Sequence, residues 1–236
     1  MSDKIVNKNV DCMVVFSGGQ DSTTSLYWAK EKFKGVHVVT FDYGQRHKIE
    51  IESAKKIAQL AGVRSHEIID LTDIMRTTSP LVDFSREVGQ YRSVDELPGG
   101  IEPTFIPCRN ILFLTIAANR AVVKSIKDLV IGVSAIDYGG YPDCRPEFIQ
   151  LMKETLCHGL EMEINIHAPV ISLSKKDTVL LASRMSGCME ALAYSHTCYE
   201  GKFPPCGKCH ACLLRMKGFK EAGIGDPLIE RATQSH

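Results

Sequence analysis

The first half of the chain alternates short apolar runs with segments of helical periodicity. "CMVVF" (12–16) and "GVHVVTFDY" (35–43) are apolar, β-branched and aromatic, and predict two buried strands. The interval 22–33 is long enough for a crossover helix. Over 48–61, Ala54, Ile57, Ala58 and Ala61 recur at helical spacing, and Gly62 supplies the stop. "SHEIID" (65–70) is a third strand.

The rhythm then breaks. Residues 72–107 carry prolines at 80, 98, 103 and 107 and predict a loop, and loops of this length are usually functional or disordered. "NILFLTIAANRAVV" (110–123) is apolar nearly all round and predicts a buried helix, and "DLVIGV" (128–133) a strand. "SAIDYGGYPDCR" (134–145) is a polar loop, and Pro146 suits the first turn of a helix over 146–159. "INIHAPV" (164–170) predicts a last strand, 175–185 a helix, and the tail from about 194 is rich in cysteine.

This alternation predicts an α/β fold with a doubly wound, mostly parallel sheet. Ligands in such sheets lie beyond the carboxyl ends of the strands. The loops at 17–22, 42–47, 105–110 and 134–145 all follow strands or precede helices, so they are expected to meet at one edge. We divide the chain into a nucleotide-binding unit, 1–190, and a C-terminal segment, 191–236, packed on it.

Charge narrows the partners. Lys+Arg and Asp+Glu are 28 each, so no net field favours a nucleic acid or a membrane surface. No apolar run is long enough to span a membrane, and "MSDKIVNKNVDC" has no apolar signal core. A cytoplasmic protein with no stable nucleic-acid partner is expected. Its nine cysteines are then expected to be reduced, and are sorted by spacing.

"VFSGGQDSTT" (15–24) places two glycines and several hydroxyls between a strand and a helix. Such a turn gathers free backbone N–H groups at the positive end of a helix and predicts a phosphate nest. It is not a Walker A loop, because no lysine lies between Lys8 and Lys30. In the tail, Cys198, Cys206, Cys209 and Cys212 have the spacing C-x7-C-x2-C-x2-C. Four thiolates so arranged predict a structural Zn2+ site, with an iron–sulfur cluster as the alternative. His196 and His210 stand beside it as spare ligands or bystanders.

The S-G-G-x-D-S turn resembles the PP-loop of the ATP pyrophosphatases, in which a nucleophile attacks the α-phosphate of ATP. "TFDYGQRHKIE" (40–50), "TFIPCRNILFLTIAA" (104–118), "GVSAIDYGGYPDCRPEF" (132–148) and the four cysteines narrow this. Together they resemble the QueC family, the 7-cyano-7-deazaguanine synthases. The resemblance implies an adenine-nucleotide-alpha-hydrolase-like fold and a homodimer. It implies ATP-dependent conversion of 7-carboxy-7-deazaguanine and ammonia to the nitrile, with ATP, Mg2+ and Zn2+ as cofactors. Phe16, Ser17, Gly18, Gly19, Gln20, Asp21, Ser22, Thr23, Thr24, Ser25, Leu26 and Asp42 would bind the nucleotide, Asp21 facing Mg2+. Ser17, Asp21, Ser22 and Arg109 are the catalytic candidates. Arg46, Arg109, Asp137, Tyr138, Tyr141, Asp143 and Arg145 are the candidates for the deazaguanine.

One position departs from the family pattern. Pro107-Cys108-Arg109-Asn110 stands where P-G-R-N is usual, and cysteine lacks glycine's ease at positive φ. Either the turn tolerates it or the pocket differs. The rival readings are a PP-loop enzyme acting on another acid or a tRNA base, a relative joining a deazapurine to another molecule, and a zinc-knuckle nucleic-acid module without catalysis.

Overall fold

The computed structural model describes residues 8–98, 100–136 and 140–234. Five parallel strands form one sheet: β1 (Asp11–Val15), β2 (Gly35–Asp42), β3 (Ser65–Asp70), β4 (Asp128–Ile131) and β5 (Asn165–His167). Their order is β3-β2-β1-β4-β5, so the winding reverses between β1 and β4. Crossovers from that reversal leave a crevice at the carboxyl ends of β1 and β4.

The apolar strands are buried on both faces, and residue parity decides which. Met13, Val15, Val39, Phe41, Leu129 and Ile131 face α3 (Arg109–Val123) and α4 (Pro146–Leu160). Cys12, Val14, Phe16, Val36, Val38 and Val130 face α1 (Gln20–Lys32), α2 (Ile49–Ala61), α5 (Lys175–Arg184) and α6 (Cys188–Leu192). Burial on both faces removes strand-like alternation and leaves continuous apolar runs, which is why "CMVVF" reads as it does. Cys12 is core, as expected.

Three features depart from the expected elements. β5 covers only 165–167 of the expected 164–170, because an edge strand pairs on one side alone. The helix α6 and the last helix, α8 (Pro227–Gln234), were not expected: α6 is five residues long, too short for a periodic signal. Among its described residues the 72–107 loop holds one 3-10 turn, Val94–Glu96, and it still sends Leu81, Val88 and Ile106 into the core.

The C-terminal segment is built into this frame. Its helix α7 (His210–Ala222) packs on α5, and α8 packs on α6. Arg215 is the fastener. It is 3% exposed. Its Nε and Nη2 donate to the two Asp226 oxygens at 2.7 and 2.8 Å, Nη1 to Ser195 and Thr197 hydroxyls at 2.7 and 3.1 Å, and Nη2 also to Leu192 O at 3.2 Å. All five guanidinium donors are thereby used, so the buried charge is compensated.

Candidate active site

The glycine turn lies where the sheet reverses. Gly18 has φ +89°, and a Cβ there would sit 2.6 Å from Glu50 O and 2.7 Å from Ala54 N. Glycine is required on both counts. No side chain caps the amino end of α1, so its first N–H groups stay open to an anion. Ser17 and Ser22 hydroxyls are 3.0 Å apart across the turn. Gln20 is 3% exposed, and neither of its amide atoms has a hydrogen-bond partner among the described residues. An orphaned polar group beside a cavity is what a ligand site leaves without its ligand. Gly132, just past β4, leaves room for the start of α1: a Cβ there would be 2.7 Å from Ser22 Cα.

The turn opens into a cavity of about 250 Å3. Four segments expected to converge do so there: Phe16, Ser17 and Gly19 to Ser22; Tyr43, Gln45 and His47; Arg109 and Asn110; Ser134, Gly140 and Tyr141. Lys175 also lines it, and its Nζ is 2.6 Å from Asp21 Oδ2. The turn therefore has a lysine after all. It comes from the start of α5, 154 residues away, so a local motif search cannot find it.

Arg109 projects from the first turn of α3 into the same cavity. Burial works against its charge, but Tyr43, Cys144, Asp143 and Tyr141 around it raise its pKa overall, so it is a fixed cation. Burial pushes the Tyr43 phenol up to about 12 and the Cys144 thiol up to about 12, Asp143 adding to the latter. Both are neutral wall groups. Cys108, before Arg109, adopts φ 62° and is exposed. The turn thus tolerates cysteine in the left-handed region, and the departure from P-G-R-N leaves Arg109 lining the cavity.

Other predicted residues lie elsewhere. Thr23, Thr24, Ser25 and Leu26 are buried along α1 and do not line the cavity. Asp42 accepts from Gly44 N at 3.0 Å and Lys48 Nζ at 3.1 Å, outside the lining. Arg46 donates to Pro80 O and Arg86 O and stacks on Phe84. Asp143 is tied to α3, accepting from Asn110 N at 3.2 Å, and Arg145 reaches Gly140 O at 3.4 Å. Asp137 and Tyr138 lie outside the described residues.

The tail closes the cavity, which sequence reasoning missed. His196, Thr197, Tyr199 and His210 line it, and His196 N donates to Gly18 O at 3.0 Å. Burial lowers the His196 pKa, so its ring is a neutral wall. Behind them, the four cysteine sulfurs lie within 4.8 Å of one another. Backbone N–H groups of Cys206, Lys208 and Cys209 point at sulfurs, at 3.4, 3.5 and 3.3 Å. Bonds from Cys209 and Cys212 hold the Cys198 thiol well below its usual range, while the two donors rise. Four converging sulfurs with N–H support fit a tetrahedral metal.

The model of the family described as "Queuosine biosynthesis protein QueC" matches residues 11–223. The chain belongs to the QueC family. Among relatives, the 7-cyano-7-deazaguanine synthase of Gloeobacter violaceus is 50% identical over 92% of this chain and 94% of its own. That of Chromobacterium violaceum is 49% identical over 93% of each. Among solved structures, the U34-tRNA thiolase NcsA of Methanococcus maripaludis, with its 4Fe-4S cluster, has a TM-score of 0.51. It is 15% identical and covers 98% of this chain and 73% of its own, a likeness of fold alone. No helix among the described residues is long and apolar enough to cross a membrane.

Proposed function

We infer that this QueC-family protein converts 7-carboxy-7-deazaguanine and ammonia to 7-cyano-7-deazaguanine at the expense of ATP. The observation that carries the reading is one cavity holding both the uncapped amino end of α1 and the buried cation Arg109. In this reading the turn from Ser17 to Ser22 grips the outer phosphates of ATP, leaving the innermost phosphorus open. Asp21 would hold Mg2+, which would neutralise phosphate charge. Lys175, beside Asp21, stabilises charge that develops as pyrophosphate leaves. Arg109 orients the carboxylate through its fork of donors.

A carboxylate is a poor electrophile, so its oxygen must become a leaving group. Attack of that oxygen on the α-phosphorus forms the acyl-adenylate and releases pyrophosphate. Ammonia adds to the acyl carbon and AMP leaves, giving the amide. A second ATP activates the amide oxygen in the same way; loss of AMP and two protons leaves the nitrile. Tyr141, beside Arg109, is the wall for the deazaguanine ring.

In the same reading residues 1–190 bind the nucleotide and residues 191–236, pinned by Zn2+ on the four cysteines, wall the site. A cytoplasmic homodimer is part of it, checked by light scattering for twice the mass of one chain. The decisive test is mass spectrometry of 7-carboxy-7-deazaguanine with enzyme, Mg-ATP and ammonium, the carboxylate labelled with 18O. The nitrile and 18O-labelled AMP are expected. Unchanged acid with metal-loaded protein would reject the assignment.

A further inference from the structure

A second cavity, of about 150 Å3, adjoins the first and shares two of its walls, Tyr199 and His210. Its other walls include Glu87, Tyr91, Glu102 and Thr104, from the long 72–107 loop. That loop is docked on the tail here, Tyr91 N donating to Lys208 O at 2.9 Å.

The two cavities differ in charge. Lys175 and Arg109 line the first, together with the positive end of α1. No lysine or arginine is among the described residues lining the second, and two carboxylates are. Glu87 is exposed and Glu102 is 3% exposed, so one stands at the mouth and the other at the floor. A cavity with carboxylates and two tyrosine rings and no fixed cation favours a small cation. Its volume holds an ammonium ion with a few waters, at roughly 30 Å3 for each molecule.

The floor has unused bonding capacity. His210 is 4% exposed, and its Nδ1 lies 2.6 Å from Glu102 Oε1. The two are at ion-pair distance but not aligned as a hydrogen bond, and His210 Nε2 has no hydrogen-bond partner among the described residues. Glu102 Oε2 is held by the Thr104 hydroxyl at 3.0 Å, and that hydroxyl meets Tyr141 OH at 2.6 Å. His210 is part of the wall common to both cavities, so its unpartnered Nε2 is available to a ligand there. Buried polar atoms left without partners mark a place where a polar ligand belongs.

We propose that this second cavity is the ammonium site and the route by which ammonia reaches the activated acid. The proposal rests on the functional reading above. Ammonium enters past Glu87 and is held by Glu102, His210 Nε2 and the tyrosine rings. It passes one proton through the cavity waters to hydroxide or buffer base in the solvent beyond Glu87, and neutral ammonia crosses between Tyr199 and His210. The arrangement keeps a cation away from Lys175 and Arg109 and gives the nucleophile its own entrance.

Two measurements test this. In steady-state assays, Glu102→Gln should raise KM for ammonium by about tenfold or more, the loss of one charged hydrogen bond. KM for ATP should stay within about twofold of the unmodified enzyme, since no nucleotide contact changes. Because a buried substitution can disturb packing, the exposed Glu87→Lys is the second variant, expected to raise KM for ammonium by about threefold. Ammonium KM values unchanged in both would overturn the site. Separately, crystals soaked in rubidium chloride should show an anomalous peak beside Glu102 that Glu102→Gln abolishes; a second cavity without rubidium would also overturn it. The rubidium result stands whatever the acid. Absence of 18O from the AMP formed in the complete reaction at saturating ammonium would reject the functional reading instead.

Discussion

The glycine turn and the cysteine tail serve one cavity by different means. The turn is local: Ser17 to Ser22 are contiguous, and strand, glycine and helix start shape it among themselves. The tail has little regular structure before α7, and its shape comes from four sulfurs and Arg215. A helix amino end is a site as soon as the helix forms. A cysteine knuckle is a site only after metal closes it. The turn is therefore expected to survive changes that destroy the tail, unless the two are coupled.

They are coupled at two points. His196 N bonds Gly18 O. On the other side, Gly218 of α7 lies against α5, where a Cβ would stand 2.7 Å from Lys175 Cβ and 3.0 Å from its carbonyl carbon. Lys175 in turn reaches Asp21. The tail thus sets the position of the lysine that the turn lacks.

The largest expected effect is that of Cys209→Ser. It should release the metal, lower stability by on the order of 5 kcal/mol or more, and abolish turnover. Metal analysis, thermal melting and assay together check this. Zinc with no visible charge-transfer band is expected, and a brown protein would mean an iron–sulfur cluster. Full activity in the metal-free variant would break the coupling outright. Next, Lys175→Met should cut kcat by about 100-fold while the melting temperature stays near that of the unmodified protein. Normal kcat would show that the Asp21 contact is only structural.

Gly218→Ala sharpens the same point without touching the cavity. The added methyl meets backbone, so α7 and α5 must part, at a cost of roughly 1–3 kcal/mol. A lower kcat with unchanged metal content is expected; loss of stability with normal kcat would sever tail from turn. The smallest effect is that of Cys108→Gly. Relief of the left-handed backbone should raise stability by about 1 kcal/mol with the site intact, read by denaturant melts.

Much of the fold was legible because burial on both sheet faces writes itself into sequence as apolar runs, as in 12–16 and 35–43. The glycine turn was legible because Gly18, Gly19 and the helix after them are adjacent in the chain. The cysteine set was legible because C-x2-C-x2-C is a spacing that only a small knuckle explains. Arg109 was legible through its position before an apolar helix. Lys175, His196, Tyr199 and Glu102 were not, because each carries no local pattern and acts only on residues far along the chain.

The sequence by itself determined the alternating strands and helices, the glycine turn and the cluster of four thiols, since each is written in residues near one another in the chain. Tertiary structure alone decided which distant side chains complete them. Packing of α7 on α5 brings Lys175 to Asp21, and the docked loop puts Glu102 against His210. The physical reason is that a hydrogen bond or ion pair depends on distance in space, and chain order fixes distance only over a turn or two.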